Sequence, residues 1–324
     1  MYSDTMKNDV LGQLAALKSW QPPQIPASIP HGDMPGDKIN IDEGHIHKAN
    51  VIFPELIGPL TEALQQSRCQ RAVLTVCGGS GVGKSEIASL LSFYLRQNGV
   101  GSYTLSGDNY PHRIPRCNDE ERLRIFRCGG TSGLVTSGQY TPGRADELRT
   151  LQQQEKDADP SLVAEKPWLG VYQREGRNSL KAYLGTPQEQ DFDQLTNIVG
   201  AFKNGADKIW LKRMGREVTD LWYEEVDMTD THVLVIEWTH GNSDYYQGVD
   251  IPILLNSTPQ ETMLYRRLRG RDGKTDSPFT TMVLEVEQSI LEAQAKKARI
   301  IVAKDGTLLS YADYRRQMAN GGGN

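Results

Sequence analysis

Gly78-Gly79-Ser80-Gly81-Val82-Gly83-Lys84-Ser85 matches the pattern GxxxxGK[ST], whose residue types suit one task, holding a polyphosphate. A loop nearly free of side chains lets successive main-chain N–H groups curl around a β-phosphate. A helix opening behind the loop adds its positive end. Lys84 supplies a mobile charge to the β- and γ-phosphates, and the Ser85 hydroxyl suits Mg²⁺. With Glu86, this stretch is the expected nucleotide-binding segment.

Two carboxylates stand where such a site could use them. Asp108 lies just past a predicted strand, on the rim where open α/β sheets collect ligands. It could accept a proton from an attacking hydroxyl or hold Mg²⁺ through water, and it could equally form an Asp-Asn turn. Val233-Leu234-Val235-Ile236-Glu237 reads as an apolar strand ending in a carboxylate, the geometry that reaches a metal beside the phosphate loop. A carboxylate ending a buried strand also calls for a cationic partner.

Arg266, Arg267, Arg269 and Arg271 cluster at the end of a predicted helix. Phosphoryl transfer uses mobile positive charge over the γ-phosphate, so Arg267 and Arg271 are lid candidates; a basic helix C-terminus is the structural alternative. Arg122, Arg124 and Arg127 follow Asp119, Glu120 and Glu121, which complements a helix dipole and reads as structural. His112, Arg113 and Arg116 lie nearer Asp108 and are candidates for touching an acceptor. A nucleoside acceptor would call for stacking on Tyr110, Tyr140 or Trp168, and a phosphorylated sugar for Arg113, Arg116 or Arg144. His45 and His47 have the alternation of a strand; with no third ligand nearby, they read as surface residues.

These residues need a scaffold. The apolar, β-branched run at 72–77 ends in glycine, as a buried parallel strand does, and helical spacing follows to Asn98-Gly99. Further strands are predicted at 101–106, 209–211, 219–223, 232–237, 251–255 and 299–303. Helices are predicted at 54–66, 119–127, from Ala145, and at 191–204, 259–268 and 279–297. A glycine-rich loop is expected at 129–143. Strands alternating with helices imply an α/β fold of the P-loop NTPase kind, a mostly parallel sheet with helices on both faces. The expected organisation is an irregular, proline-punctuated arm over 1–50 and an α/β domain over 51–310, with a segment at 111–183 that strand and helix signals do not place and a flexible tail over 311–324.

Composition narrows the function classes. The 324 residues carry 36 Lys+Arg against 41 Asp+Glu, a net charge of −5, which argues against a nucleic-acid binder held by global charge. No apolar run approaches a membrane span and no export signal is visible at the first residues. Cys69, Cys77, Cys117 and Cys128 show neither paired nor zinc spacing. A cytoplasmic enzyme with a small-molecule partner and no nucleic acid or membrane partner is the expectation, compatible with a homodimer.

In order, these segments resemble the uridine kinase/phosphoribulokinase family of P-loop kinases. The likeness rests on the phosphate loop, Leu105-Ser106-Gly107-Asp108-Asn109-Tyr110, and Thr186-Pro187 before Asp191-Phe192-Asp193-Gln194-Leu195. Val235-Ile236-Glu237, the arginines 266–271 and the closing strand complete it. The resemblance implies an ATP- and Mg²⁺-dependent kinase acting on an alcohol: a nucleoside, sugar, sugar phosphate or pantothenate-like compound. It also makes 51–310 a kinase domain with an acceptor-side insertion at 111–183, and Asp108 its base; Tyr110, His112, Arg113 and Arg144, read from their positions, are the candidates for touching substrate with it. Lys84, Arg267 and Arg271 would offset charge, and Ser85, Glu237 and Asp108 would attend the metal. Trp238 replaces the family's glycine after the glutamate, and Thr186 its histidine before the proline. A nucleotide-hydrolysing switch and a non-catalytic ATP-binding regulator are the alternatives.

Overall fold

The computed structural model describes residues 9–257, 261 and 277–321. The helix expected at 259–268 and the arginines 266, 267, 269 and 271 lie outside these.

The scaffold grows from β1 (Ala72–Gly78), in which every residue is buried. It lies inside a sheet ordered β2-β5-β1-β6-β7-β8, where β2 is Ser102–Ser106, β5 Val233–Glu237, β6 Ile251–Leu255, β7 Ile300–Val302 and β8 Leu308–Leu309. The first five strands in that order run parallel, and only β8 is antiparallel. Successive side chains point to opposite faces, so β1 seeds a core on each. Leu74 and Val76 pack with α2 (Glu43–Gln66) and α3 (Lys84–Gln97). Val73 packs on the other face with α7 (Phe192–Lys203), and Cys77 with α8 (Pro278–Gln294). This is the expected α/β architecture. A separate antiparallel ribbon, β3 (Lys208–Met214) with β4 (Leu221–Asp227), replaces the two short strands expected there.

Three expectations need correction. Residues 1–50 are not irregular throughout: α1 (Val10–Ala16) buries Val10 and Leu14, and α2 begins at Glu43 rather than at Pro54. Asp42 caps α2 by accepting the His45 N–H, so His45 and His47 lie on a helix and not on a strand. The buried stripe Ala49, Ile52, Phe53, Leu56, Leu60 and Leu64 runs across Pro54 and Pro59, and this burial outweighs the lost helix bonds.

The glycine-rich loop expected at 129–143 is mostly helix. α4 (Pro115–Thr136) runs through Gly129, Gly130 and Gly133 against α6 (Pro167–Lys181). A Cβ at Gly130 would sit 2.6 Å from the Tyr172 ring, and one at Gly176 2.6 Å from the Phe126 ring. These glycines permit close helix packing rather than turns. The tail, too, is ordered as α9 (Tyr311–Gly321), which buries Tyr314 beside Leu291 and Ala295.

The sheet predicts its own weak point. Leu74 is fully buried at the centre of β1. Leu74→Ala is expected to cost about 2–5 kcal/mol, read as a lower urea midpoint with an unchanged denaturant slope.

Candidate active site

Three parallel strands deliver their carboxyl ends to one place. The phosphate loop leaves β1 with Gly81 at φ +78° and Gly83 at φ +94°, left-handed values that favour glycine. A Cβ on Gly83 would also strike the His45 ring at 2.6 Å, so α2 closes over the loop. Lys84 opens α3 and donates from Nζ to the Gly79 carbonyl at 3.1 Å.

Register does the rest. Ser106 of β2 and Val76 of β1 both lie level with Glu237 of β5. Ser106 Oγ therefore donates to Glu237 Oε1 at 2.5 Å, while Ser85 Oγ donates to Oε2 at 3.2 Å. Burial pushes the Glu237 carboxyl up, and the nearby Asp108 carboxylate pushes it further. Lys84 and the two hydroxyls pull it back. Asp108 projects, exposed, from a turn at Gly107–Asn109. Gly107 is obligatory there, because a Cβ would fall 2.1 Å from Trp238 Cγ. Trp238, buried against Phe192 and Tyr246, thus forms a wall for the turn.

Lys84, Ser85, Asp108 and Glu237 line a single cavity of about 560 Å³. Two carboxylates and a hydroxyl beside a phosphate loop fit Mg²⁺, which keeps several waters and takes only one or two protein carboxylates. Among the described residues no cluster of three His, Cys, Asp or Glu side chains stands ready for a protein-caged metal.

Of the acceptor-side candidates, Arg116 lines the cavity. Tyr110 does not: it is fully buried in the core with Leu105 and Phe192. His112 turns to the Pro187 carbonyl (3.0 Å), Arg113 to the Tyr183 hydroxyl (3.0 Å), and Arg144 to the Gln139 carbonyl (2.7 Å) beside α5 (Pro142–Gln153). None of these four is among the cavity's lining residues. Trp168 is core and Tyr140 is exposed elsewhere on the surface.

Other residues take those places. Pro111 bridges to Gln190, which brings the segment after Thr186-Pro187 to the cavity with Gln190 in its wall. Arg122, read from sequence as a dipole complement, lines the cavity and donates from Nε to Glu189 at 2.6 Å. Burial alone would raise the Glu189 carboxyl, but Arg122, His240 and the Gly185 N–H hold it below its ordinary value. His240, buried in the wall, is driven down to about 4 by burial, with Arg122 and Lys84 adding to it against Glu189.

The arm contributes as well. Met34-Pro35-Gly36-Asp37 forms a turn closed by Asp37 N–H to the Met34 carbonyl at 3.2 Å, with Gly36 at φ +72°, and it lines the same cavity as Arg116 and Arg122. Pro then Gly at its centre is a turn signature legible in the sequence. Its destination is not. Arg216, in the β3–β4 turn, completes that side.

No family model matches the chain. The bifunctional alpha-galactosidase/sucrose kinase AgaSK of Mediterraneibacter gnavus is 39% identical over 238 residues, 74% of this chain but 20% of that protein. The chain thus spans about a fifth of the length of this curated relative. Similar solved structures include a possible uridine kinase from Bacillus stearothermophilus (17% identity, TM-score 0.38, covering 76% of this chain and 98% of that one). Phosphoribulokinase from Rhodobacter spheroides is another (14%, 0.43, 72% and 70%).

The site predicts a pH dependence. His240 is neutral when folded to about pH 4, whereas unfolded it titrates near ~6.5. Between these values the unfolded chain binds more protons, so stability falls as pH drops through that window. His240→Gln should remove about 3 kcal/mol of that fall, measured by urea unfolding at pH 7, 5.5 and 4. The parallel sheet order, with the glycine loop leaving its central strand and two carboxylates lining the same cavity, makes this an α/β fold of the P-loop kind.

Proposed function

We propose that the chain is an ATP- and Mg²⁺-dependent kinase that transfers the γ-phosphoryl group to a hydroxyl of a neutral sugar. The observation that carries the reading is the shared cavity: phosphate-loop Lys84 and Ser85, the metal-side Glu237 and the exposed Asp108 face one space. A cavity of about 560 Å³ is also within the range of small-molecule sites.

In this reading the loop amides and Lys84 hold the β- and γ-phosphates. Bound Mg²⁺ would neutralise charge between these phosphates, with Ser85 and Glu237 on its protein side. Asp108 accepts the proton of the attacking hydroxyl, and Arg267 and Arg271 offset charge on the transferring group. Positioning and electrostatics carry the rate, since phosphoryl transfer asks for little covalent work from the protein.

The acceptor class rests on the wall chemistry. The lining holds the carboxyl groups of Asp37, Asp119 and Glu287 and the guanidinium groups of Arg116, Arg122 and Arg216, with Asn118 and Gln190. Mixed donors and acceptors suit the hydroxyls of a sugar. A phosphorylated acceptor would meet as many carboxylates as guanidinium groups, and a nucleobase would find Tyr110 and Trp168 enclosed in the core. The sucrose kinase name of the 39% identical relative supports the same class. A cytoplasmic setting, where ATP is held, suits this activity.

Two measurements test the proposal. With ATP, Mg²⁺ and a panel of sucrose, fructose, glucose, uridine, pantothenate and ribulose 5-phosphate, ADP should appear with a neutral sugar. Rapid ADP release without an acceptor would instead make the chain a nucleotide-hydrolysing switch. Asp108→Asn should lower kcat by ~10²-fold or more while ATP binding stays nearly intact. Unchanged turnover would remove Asp108 from the mechanism.

A further inference from the structure

We propose that Asp33, carried by the N-terminal arm, is a positioning residue for Asp108. The inference rests on the reading of Asp108 as the base.

Asp33 lies outside the cavity and does not line it, and its side chain is 9% exposed. Burial pushes its carboxyl up, against Arg213, the Ser106 N–H and Tyr103, so the site bears a desolvation cost. The bonds gained converge on the turn that carries Asp108. Oδ1 accepts the Ser106 N–H at 2.7 Å and the Asn109 Nδ2–H at 3.2 Å. Oδ2 accepts the Tyr103 hydroxyl at 3.0 Å and Arg213 Nη1 at 2.9 Å. One carboxylate oxygen therefore grips the chain two residues before Asp108 and one residue after it.

The grip is anchored from behind. Asn109 Oδ1 accepts the Met214 N–H at 3.0 Å, so the Asn109 amide is held at both ends, by the arm and by the β3–β4 ribbon. Arg213, the neighbour of Met214, also bonds the Tyr103 hydroxyl (3.0 Å) and Glu224 (3.0 Å). On the opposite side Gly107 is pressed against Trp238. Asp108 is left as the exposed residue of a turn fixed on three sides.

The same anchor sets the acceptor wall. Asp33 immediately precedes the Met34–Asp37 turn that lines the cavity, so base and wall share one fixed point. A misplacement of ~1 Å between base and hydroxyl can cost roughly 10²-fold in rate. Asp33 touches neither reactant in this reading; it acts through Asp108.

The test uses the full chain with ATP, Mg²⁺ and the neutral sugar it phosphorylates fastest. Asp33→Ala should lower kcat 10- to 100-fold while the KM for ATP and the binding of a fluorescent ATP analogue change less than twofold. Asp33→Asn keeps an oxygen for Ser106 and Asn109 and should recover most of the lost kcat. Asp33→Ala combined with Asp108→Asn should be about as slow as Asp108→Asn alone, because both act through one group. Losses that multiply in the double variant would overturn the proposal, as would an unchanged kcat in Asp33→Ala.

Amide exchange gives an arm that needs no turnover. Ser106 should lose protection in Asp33→Ala, and retained protection overturns the clamp whatever Asp108 does. If Ser106 is deprotected yet Asp108→Asn turns over normally, the reading of Asp108 as base has failed, and the positioning role with it. Should Asp33→Ala not fold, Asn109→Ser carries the same cycle, with the same non-additive loss expected and a multiplicative loss overturning the proposal.

Discussion

A carboxylate closed into the end of a parallel sheet is the constraint around which this structure is arranged. Glu237 is 3% exposed, and taking its charge out of water is costly unless partners surround it. The partners come from two elements: Ser106 from β2 and Ser85 from the start of α3. Because strand side chains alternate with a period of two, a one-residue slip of β2 against β5 would turn Ser106 away from Glu237. The bond to Ser85 likewise depends on α3 beginning where the glycine loop ends. The buried carboxylate thereby ties sheet register to the position of the phosphate loop.

That arrangement carries an electrostatic cost. The nearby Asp108 carboxylate adds to burial in making Glu237 harder to ionise. A protein selected for stability alone would replace one of them by an amide. Held together beside Lys84, they make a negative field of the kind that a divalent cation would relieve. The polar layer on the other side of the cavity works differently. Glu189 and Arg122 satisfy each other at 2.6 Å, and burial keeps His240 beside them neutral above about pH 4. On that part of the wall the charge of Arg122 is balanced, while Glu237 and Asp108 leave an unbalanced acidic pair near the phosphate loop.

The parts legible in the sequence are those whose signal is local. The strand at 72–77, the glycine loop and the apolar run ending in Glu237 each announce themselves within ten residues, and all three lie where expected. The failures share a physical cause, in that tertiary contact decided the outcome. Gly129, Gly130 and Gly133 look like a loop until α6 is known to press against them. Tyr110 follows Asp108 by two residues and looked available for stacking, yet the turn sends its ring into the core. Arg122 satisfies a helix-dipole rule and also faces the cavity, and spacing alone does not separate the two. The turn at 34–37 was readable as a turn, but nothing near it says which site it would cover.

This contrast between contiguous and assembled parts has a functional logic. A polyphosphate presents the same oxygens whatever nucleotide carries it, so main-chain amides within one loop suffice to hold it, and the recognition is written in one short stretch. An acceptor must be distinguished from its competitors by the placement of individual donors and acceptors. In the proposed reading those groups would come from the arm, α4, the segment after Pro187, the β3–β4 turn and α8, all of which line the cavity. Each is far from the others along the chain, so each can vary without disturbing the phosphate loop. Their separation carries an entropic cost, because five segments must be held in place around one cavity. Asp33 and Arg213 pair behind the wall, and Glu189 satisfies Arg122, which lines the cavity itself.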